Sequence, residues 1–464
     1  MAHGCPGPLG AELKRQQEQL QAVRDELAVL RELLSDAGVL GLETFLARVH
    51  KRRFAAMLRS HRLAADDGIP ARCLDSQELA FALAHSAGPC AMRALAGSSR
   101  AVHGAVSSAL ALVQRIFPGN LYVCGGYDGA EDLPTAERFD PIAGAWERLP
   151  PMSERRSRAG TAFLGGKLYV CGGHGGTEPL GAAERFDPAV GVWEMLPPMA
   201  EKRTHVVATA VGGKLYVCGG SRGQLCLNSA ERFDPDTGSW EPLPPMSERR
   251  CAIVAAVVDG KLYACGGHDG VQSLNTAERF DPALGEWETL PPMSERRWAV
   301  AAAVLDGQLY VCGGFDGAHR LRSAERFSPS LGLWEALPGM LAPRSAATAA
   351  VVSGSLYVCG GFDGERRLDS AERFDPVAGA WEPLVPMAER RSAAAAAVVA
   401  GKLYICGGFD GERRLRSAER FDPEASAWQP LPPMSVRRSR VASATAAAAC
   451  SPAAAASAAC GGGG

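Results

Sequence analysis

The stretch from 158 to 199 reads RAGTAFLGGKLYVCGGHGGTEPLGAAERFDPAVGVWEMLPPM and decides the fold. Its first apolar segment ends at the glycine pair 165–166, which is typical of a tight hairpin turn. The segments LYVC at 168–171, AERF at 183–186 and VWEML at 192–196 follow, with glycine, proline or aspartate between them. Four short strand-like segments separated by turn residues predict one four-stranded antiparallel sheet.

The same unit recurs along the chain at a constant period, and Trp146 and Trp193 are 47 residues apart in sequence. One tryptophan marks each of the seven copies: Trp146, Trp193, Trp240, Trp287, Trp334, Trp381 and Trp428. No stretch of ten residues within the unit keeps a 3.6-residue period, which excludes a helical solenoid. Repeated four-stranded units predict a β-propeller, with one unit in each blade.

The repeated unit resembles the Kelch repeat. A double glycine follows an apolar strand such as 168–171, an aromatic residue lies in the third strand, and a tryptophan follows about 20 residues after the glycines. In Kelch proteins each such unit is one propeller blade. The resemblance implies a mainly β fold, a seven-bladed Kelch β-propeller. The residues before the repeats separately predict an N-terminal α-helical and coiled-coil region.

The two ends of the propeller are predicted to join in blade one. Residues 438–446 begin RSRVASAT and match RSRAGT at 156–161, whereas 110–117 fits the first-strand pattern poorly. We therefore expect 438–446 to supply the first strand of blade one and to close a propeller over 118–446, which removes exposed sheet edges. Residues 447–464 are nearly all Ala, Ser, Cys and Gly and predict a disordered tail.

The N-terminal region carries a heptad pattern. Four leucines are spaced by seven residues: Leu13, Leu20, Leu27 and Leu34. This spacing predicts a short coiled-coil helix over 9–38, with homodimerisation through 13–34 as one outcome and a single packed helix as the other. Pairing would give the two propellers avidity for one partner.

Residues 39–117 are predicted to be helical. Within them 73–106 resembles an F-box, because a short helix, a break at Gly88-Pro89 and a second helix containing Leu95 follow one another. The resemblance implies binding to the adaptor subunit of cullin-type ubiquitin ligases, with the propeller selecting the substrate. A generic helical cap is the alternative, and the lack of strand–helix alternation argues against a BTB domain.

Two sets of loops share one face of a propeller whose connections alternate between its ends. The loop between blades repeats one arginine: Arg156, Arg203, Arg250, Arg297, Arg344, Arg391 and Arg438. Arginine presents planar bidentate donors to carboxylates, and in Kelch adaptor proteins arginines of this loop contact acidic peptides. The alternative is that each arginine braces its neighbour through an adjacent glutamate such as Glu154. Arg344 and Arg438 lack that glutamate, and we expect them to be the least neutralised.

The loop between strands two and three differs among the blades, which favours a role in specificity. Blades five to seven carry aromatic and basic residues there: Phe315, His319, Arg320, Arg322, Phe362, Arg366, Arg367, Phe409, Arg413, Arg414 and Arg416. This pattern predicts an acidic protein partner, and a solvated surface is the alternative. RNA or single-stranded DNA is disfavoured because 49 Lys and Arg nearly cancel 51 Asp and Glu.

Chemical sites are not expected. Seven of the 14 cysteines, such as Cys171, directly precede a glycine pair and predict buried thiols of strand two. The sequence has no C-x-x-C spacing, and His174 and His268 lie two blades apart, so we expect neither a metal nor a cofactor. It also shows no Ser/His/Asp set and no phosphate-binding glycine loop, so a propeller enzyme is the least favoured class.

The amino-acid composition limits the cellular compartments in which the protein is expected to act. The net charge is −2, and no run of about 18 apolar residues is present, so no membrane association is expected. The N-terminal residues show no basic segment followed by an apolar one, and the diluted cysteines suit a reducing compartment, the cytoplasm or alternatively the nucleus. We predict a protein-binding adaptor, chiefly a substrate receptor of a cullin-type ubiquitin ligase, with an actin-binding Kelch scaffold as the alternative.

Overall fold

The computed structural model describes residues 119–445. The predicted coiled-coil helix at 9–38, the helical region at 39–117 with its F-box-like segment, and the predicted tail at 447–464 lie outside the described residues. Within 119–445, no helix has the length and apolar character that crossing a bilayer requires. The described chain forms seven antiparallel sheets of four strands, which confirms the predicted seven-bladed propeller.

Residues 121–243 supply eleven main strands and one extra hairpin to the first three blades, and the end of the described chain supplies the twelfth main strand. Blade one contains β1 (Leu121–Cys124), β2 (Ala136–Asp140) and β3 (Ala145–Leu149). Blade two contains β4 (Gly160–Leu164), β5 (Lys167–Cys171), β6 (Ala183–Asp187) and β7 (Val192–Leu196). Blade three contains β8 (Val207–Val211), β9 (Lys214–Cys218), the short hairpin strands β10 (Ser221–Arg222) and β11 (Leu225–Cys226), β12 (Ala230–Asp234) and β13 (Ser239–Leu243).

The remaining blades repeat the four-stranded pattern. Blade four contains β14 (Val254–Val258), β15 (Lys261–Cys265), β16 (Ala277–Asp281) and β17 (Glu286–Leu290). Blade five contains β18 (Ala301–Leu305), β19 (Gln308–Cys312), β20 (Ala324–Ser328) and β21 (Leu333–Leu337). Blade six contains β22 (Thr348–Val352), β23 (Ser355–Cys359), β24 (Ala371–Asp375) and β25 (Ala380–Pro383). Blade seven contains β26 (Ala395–Val399), β27 (Lys402–Cys406), β28 (Ala418–Asp422) and β29 (Ala427–Leu431), and β30 (Ala442–Thr445) follows.

The last strand closes the ring. β30 pairs antiparallel with β1, so that Leu121 lies opposite Thr445 and Cys124 lies opposite Ala442. This is the pairing that the match between 438–446 and 156–161 predicts. The innermost strands of successive blades contact one another in the order β30, β4, β8, β14, β18, β22, β26 and back to β30. Every innermost strand therefore has a neighbour on both sides.

Aromatic side chains pack neighbouring blades together. The Tyr169 ring of β5 lies 6.2 Å from the Phe233 ring of β12 in the next blade, and Phe233 lies 5.2 Å from Trp240 of β13. The Trp240 indole N–H donates to the Pro197 carbonyl oxygen of the preceding blade at 2.8 Å. The same three contacts occur in every blade, and aromatic pairs of this kind stabilise by roughly 0.5–1.5 kcal/mol beyond the area they bury.

The glycine pair after strand two allows the backbones of a blade and its outgoing loop to approach. Gly172 has a φ of +60°, and a Cβ there would lie 2.5 Å from the Arg203 carbonyl oxygen. The Gly173 amide donates a 2.7 Å hydrogen bond to that same oxygen. Only glycine adopts this conformation without strain. The pair therefore allows the loop that carries Arg203 into the next blade to lie directly against the end of strand two.

Candidate functional site

The arginines that repeat in the loops between blades are buried in the ring. Arg156 donates from Nη2 to Glu184 Oε1 at 2.6 Å and from Nη1 to the carbonyl oxygens of Gly172 and Ala182 at 2.9 and 2.7 Å. At most 1% of each residue is exposed in the whole set: Arg156, Arg203, Arg250, Arg297, Arg344, Arg391 and Arg438. This burial contradicts the prediction that the seven arginines bind a partner, because their side chains are enclosed by the chain itself.

A glutamate of strand three, in the AERF segment of the blade that follows, pairs with each buried arginine. The pairs are Arg156–Glu184, Arg203–Glu231, Arg250–Glu278, Arg297–Glu325, Arg344–Glu372, Arg391–Glu419 and Arg438–Glu137. A buried guanidinium requires such a partner, because an uncompensated charge in the interior is strongly destabilising. The last pair joins the end of the described chain to blade one.

The predicted bracing role holds, but the bracing carboxylate differs from the predicted one. The glutamate two residues before the arginine is at most a second partner. In the blade-four example, Glu248 Oε2 lies 3.2 Å from Arg250 Nη2. The prediction that Arg344 and Arg438 are the least neutralised is confirmed only in part. Each has a single carboxylate partner, at 2.7 and 2.5 Å, on strand three of the next blade, whereas Arg250, Arg297 and Arg391 have two. Arg156 and Arg203 also have a single partner.

Three other arginines form a stack with aromatic rings on the same face. The guanidinium carbon of Arg320 lies 3.7 Å from the centre of the Phe315 ring and 5.2 Å from that of Phe362. Arg367 lies 3.9 Å from Phe362 and 5.4 Å from Phe409 in the same way.

The stack continues into blade one. Arg414 lies 3.9 Å from the Phe409 ring and 5.4 Å from the Tyr127 ring. We call the whole series the arginine–aromatic ladder: Phe315, Arg320, Phe362, Arg367, Phe409, Arg414 and Tyr127. It runs from blade five across the closure to blade one.

Short hairpins in the loop between strands two and three hold the ladder. In blade six Phe362 pairs across the hairpin with Arg367, and its other backbone side pairs with Ser345. Asp363 Oδ1 accepts hydrogen bonds from the amides of Glu365 and Arg366 at 2.8 and 2.7 Å, which shapes the turn. Each loop thus places one ring beside one guanidinium, and the next blade supplies the second ring.

The other predicted residues of this sector lie outside the stack. Arg366 and Arg413 have side chains 67% and 60% exposed, and each lies near the aspartate of its own turn. Arg322 and Arg416 are exposed on the segments that lead into strand three. His319 is exposed on the hairpin of blade five.

The ladder lines a cavity at the mouth of the central channel. The cavity has a volume of about 690 Å³, and Arg320, Arg367 and Arg414 form part of its wall. Arg158, His205, Trp298 and Arg440 also line the cavity, and none of these four was predicted as a site residue. We call this space the central funnel.

A signal for three of the missed residues is present in the sequence. Arg158, His205 and Arg440 occupy one repeat position, two residues after the buried arginine, and their φ values of 55°, 52° and 53° are positive. The other four copies of that position are alanine: Ala252, Ala299, Ala346 and Ala393. Basic residues at a position that is otherwise alanine point to a role outside the structural repeat.

The central funnel is rich in cations that form no ion pair with a carboxylate of the described chain. Within 119–445, the side chains of Arg158, Arg320, Arg367, Arg414 and Arg440 form no ion pair and donate no hydrogen bond, and Nε is buried without a partner in all of these except Arg440. Burial lowers the pKa of the Arg367 guanidinium, and Arg320 and Arg414 lower it further. Burial and the charges of Arg158 and Arg440 lower the pKa of His205 to about 4.

Comparison with known proteins agrees with this architecture. The Kelch motif matches seven segments of the chain: 116–153, 155–200, 202–247, 249–294, 297–341, 343–388 and 390–435. The solved structure of YjhT is similar in fold, with a TM-score of 0.52 and 15% sequence identity, over 61% of this chain and 99% of that chain. At this identity the similarity shows the fold alone.

Proposed function

The chain belongs to the Kelch-motif family, and we propose that its propeller binds an acidic segment of another protein in the central funnel. The observation that carries the proposal is the set of unpaired guanidinium groups of the arginine–aromatic ladder. Arg320, Arg367 and Arg414 are half-buried, lack carboxylate partners within the described chain and keep Nε without an acceptor. Nε is buried in each of them but the terminal Nη groups are not, and partner carboxylates would accept charge-assisted hydrogen bonds from these Nη groups.

Stacking within the ladder preorganises the guanidinium groups of these arginines for binding. Each guanidinium is stacked on a ring of its own hairpin at 3.7–3.9 Å, so its orientation is largely fixed before a partner arrives. A side chain that is already immobilised loses little conformational entropy on binding, so more of the interaction free energy contributes to affinity. The exposed Arg366 and Arg413 lie outside the central funnel, where charges mainly raise the association rate.

The same stacking favours protein over single-stranded nucleic acid. Proteins that bind single strands leave aromatic faces open, and bases stack on them. Here guanidinium groups cover one or both faces of Phe315, Phe362 and Phe409. The funnel offers donors to carboxylates rather than free rings to bases.

An anisotropy titration of the full chain tests the proposal. The probes are a fluorescent oligo-glutamate peptide and an oligo-glutamine peptide of the same length. We expect the acidic peptide to bind at least tenfold more tightly, since hydrogen bonds to charged groups contribute roughly 1.5–3 kcal/mol each. Equal binding of the two peptides contradicts the proposal.

We further propose that the chain acts in the cytoplasm as the substrate receptor of a cullin-type ubiquitin ligase, with 73–106 contacting the adaptor subunit. The support is the F-box-like pattern of that segment beside a Kelch propeller. A pull-down of the adaptor subunit with the full chain, and its loss on deletion of 73–106, is the expected result. Failure to retain the adaptor, together with cosedimentation with F-actin, favours the cytoskeletal scaffold instead.

A further inference from the structure

Two thiols and an imidazole meet between blades three and four. Cys226 ends the hairpin strand β11, Cys251 lies in the loop before β14, and His268 follows the glycine pair after β15. The Sγ atoms of the two cysteines are 2.8 Å apart. One ligand atom from each of the three residues lies within 4.8 Å of the other two.

These residues depart from the repeat, unlike the cysteines of strand two. At the position of Cys251 the other blades have Ser157, Thr204, Trp298, Ser345, Ser392 and Ser439. At the position of Cys226 they have Asp132, Pro179, Ser273, Arg320, Arg367 and Arg414. Neither thiol is therefore needed to build a blade, and both cysteines occur in this one place.

The backbone holds the two thiols together. Cys251 and His268 exchange two amide-to-carbonyl hydrogen bonds of 2.9 and 3.0 Å. Cys226 pairs with Ser221 across the hairpin of β10 and β11, at the position where Phe362 pairs with Arg367 in blade six. The contact between the sulfur atoms thus joins two hairpins from neighbouring blades.

The thiols of this pair differ in acidity from the thiols of the strands. Burial raises the pKa of Cys218 and of Cys265 to about 12, which keeps these thiols protonated and inert. Hydrogen bonding between the two thiols lowers the pKa of Cys226 and raises the pKa of Cys251. The two thiols of the pair therefore differ in acidity, and Cys226 is the one that loses its proton more readily.

The geometry favours a bond between the sulfurs over a shared metal. Tetrahedral zinc, with Zn–S bonds of about 2.3 Å, holds two sulfurs roughly 3.8 Å apart. The sulfurs here are closer than that, at 2.8 Å. His268 Nδ1 also accepts a hydrogen bond from the Gly270 amide at 3.0 Å, so a neutral ring carries its proton on Nε2 and offers no free lone pair there.

We propose that Cys226 and Cys251 form a reversible disulfide when hydrogen peroxide oxidises them. Cys226 is buried and Cys251 is partly exposed, so a small oxidant suits the site. The Cys226 thiolate attacks one peroxide oxygen, the O–O bond breaks, and the departing hydroxide takes up a proton to become water. The Cys251 thiol then loses its proton, and its sulfur displaces the oxygen of the Cys226 sulfenic acid as a second water. Two thiols and one peroxide thus give one disulfide and two waters.

The disulfide would fix one wall of the central funnel. Ala252 and Ile253 directly follow Cys251 and line the cavity. Bonding their segment to β11 would hold that wall against blade three. This inference stands independently of the acidic partner.

The test is peptide mapping of the full chain after mild peroxide treatment. Free thiols are alkylated before tryptic digestion, which places Cys226 in the peptide 223–232 and Cys251 in 251–261. We expect these two peptides to appear linked, to have lost two hydrogen atoms, and to separate again after treatment with a dithiol reductant. The strand cysteines Cys218 and Cys265 should remain free and serve as internal controls.

The variants C226S and C251S provide matched controls. Serine stands at both positions in other blades, as Ser273 and Ser345 show, so both variants are expected to fold. Each should abolish the linked peptide. The proposal is overturned if both cysteines of the wild-type chain are alkylated after peroxide, if the link forms with another cysteine, or if the reduced chain takes up one zinc ion that C226S does not bind.

Discussion

Two sets of arginines lie on the same face of the ring, and they differ in role. One set pairs with the chain's own carboxylates, and the other is available for recognition. The buried set, typified by Arg250, is enclosed by its own chain and paired with a glutamate of the next blade. The ladder set, typified by Arg367, stacks on rings and forms no ion pair within the described chain. Both sets repeat every 47 residues, so periodicity alone does not separate structure from recognition. The presence of an internal carboxylate does.

The largest expected effect comes from removing the closing strand. A chain ending at Met434 loses β30 and the Arg438–Glu137 ion pair, which leaves the inner edge of β1 without a partner. We expect a large fall in the melting temperature and loss of a single cooperative transition. A chain ending at 446 keeps the strand and should melt like the full chain. An unchanged melting curve after truncation at Met434 contradicts the observed closure.

The next largest effect concerns one buried arginine. Arg250→Ala leaves Glu278 buried without its cation, and breaking a buried pair in this way costs about 3–5 kcal/mol. Chemical denaturation compared with wild type measures the loss. The double variant Arg250→Met/Glu278→Leu removes both charges and should recover much of it. Stability equal to wild type in Arg250→Ala would mean that the pair is not buried.

Ladder substitutions should affect binding and spare the fold. We expect Arg320→Ala/Arg367→Ala/Arg414→Ala to weaken oligo-glutamate binding by at least a hundredfold, since each lost charged hydrogen bond is worth roughly 1.5–3 kcal/mol. The salt dependence of the remaining affinity should flatten.

The control uses the neighbouring exposed arginines. Arg366→Ala/Arg413→Ala removes charges adjacent in sequence to the ladder but outside the central funnel. Its expected effect on affinity is a few-fold at low salt and negligible at high salt. If the two sets of variants weaken binding equally, the ladder has no special role and the surface acts through its net charge.

The smallest effect is a pH dependence at His205. Its pKa is lowered to about 4 from 6.5, so the unfolded chain binds more protons between these values. The stabilising neutral form is fully present above pH 6.5, and its contribution falls as pH drops toward 4. At pH 5 this costs about 2 kcal/mol. His205→Ala, which installs the residue of blades four to seven, should lose less stability than wild type on acidification. Parallel pH profiles contradict the assignment.

Periodicity made the propeller predictable and left some contacts between blades hidden. The glycine pairs and tryptophans gave the number of blades, and the copy of RSR at 438–446 indicated where the ring closes. The loops of blades five to seven were found because they depart from the common pattern. The repeat pattern does not predict which side chains of neighbouring blades are in contact.

The glutamate that neutralises Arg156 illustrates this limit. It lies 28 positions later, in a segment that reads as an ordinary strand of the next blade. The contact between Cys226 and Cys251 is hidden for the same reason, because it depends on how two hairpins are placed across a seam. Arg158 and Arg440 were within reach of the sequence, since they replace alanine at a fixed repeat position.

Because β30 closes the ring, blade one is completed only at the end of synthesis of the propeller. The strand that contains Leu121 remains unpaired on one side until the ribosome has added Thr445, 324 residues later (445 − 121). At about 5–20 residues per second, this takes on the order of tens of seconds. Throughout that interval the nascent first blade presents an unsatisfied strand edge, the kind of surface on which chains associate wrongly. The earliest-made blade is thus the last to mature, and the demand for chaperone protection falls on it.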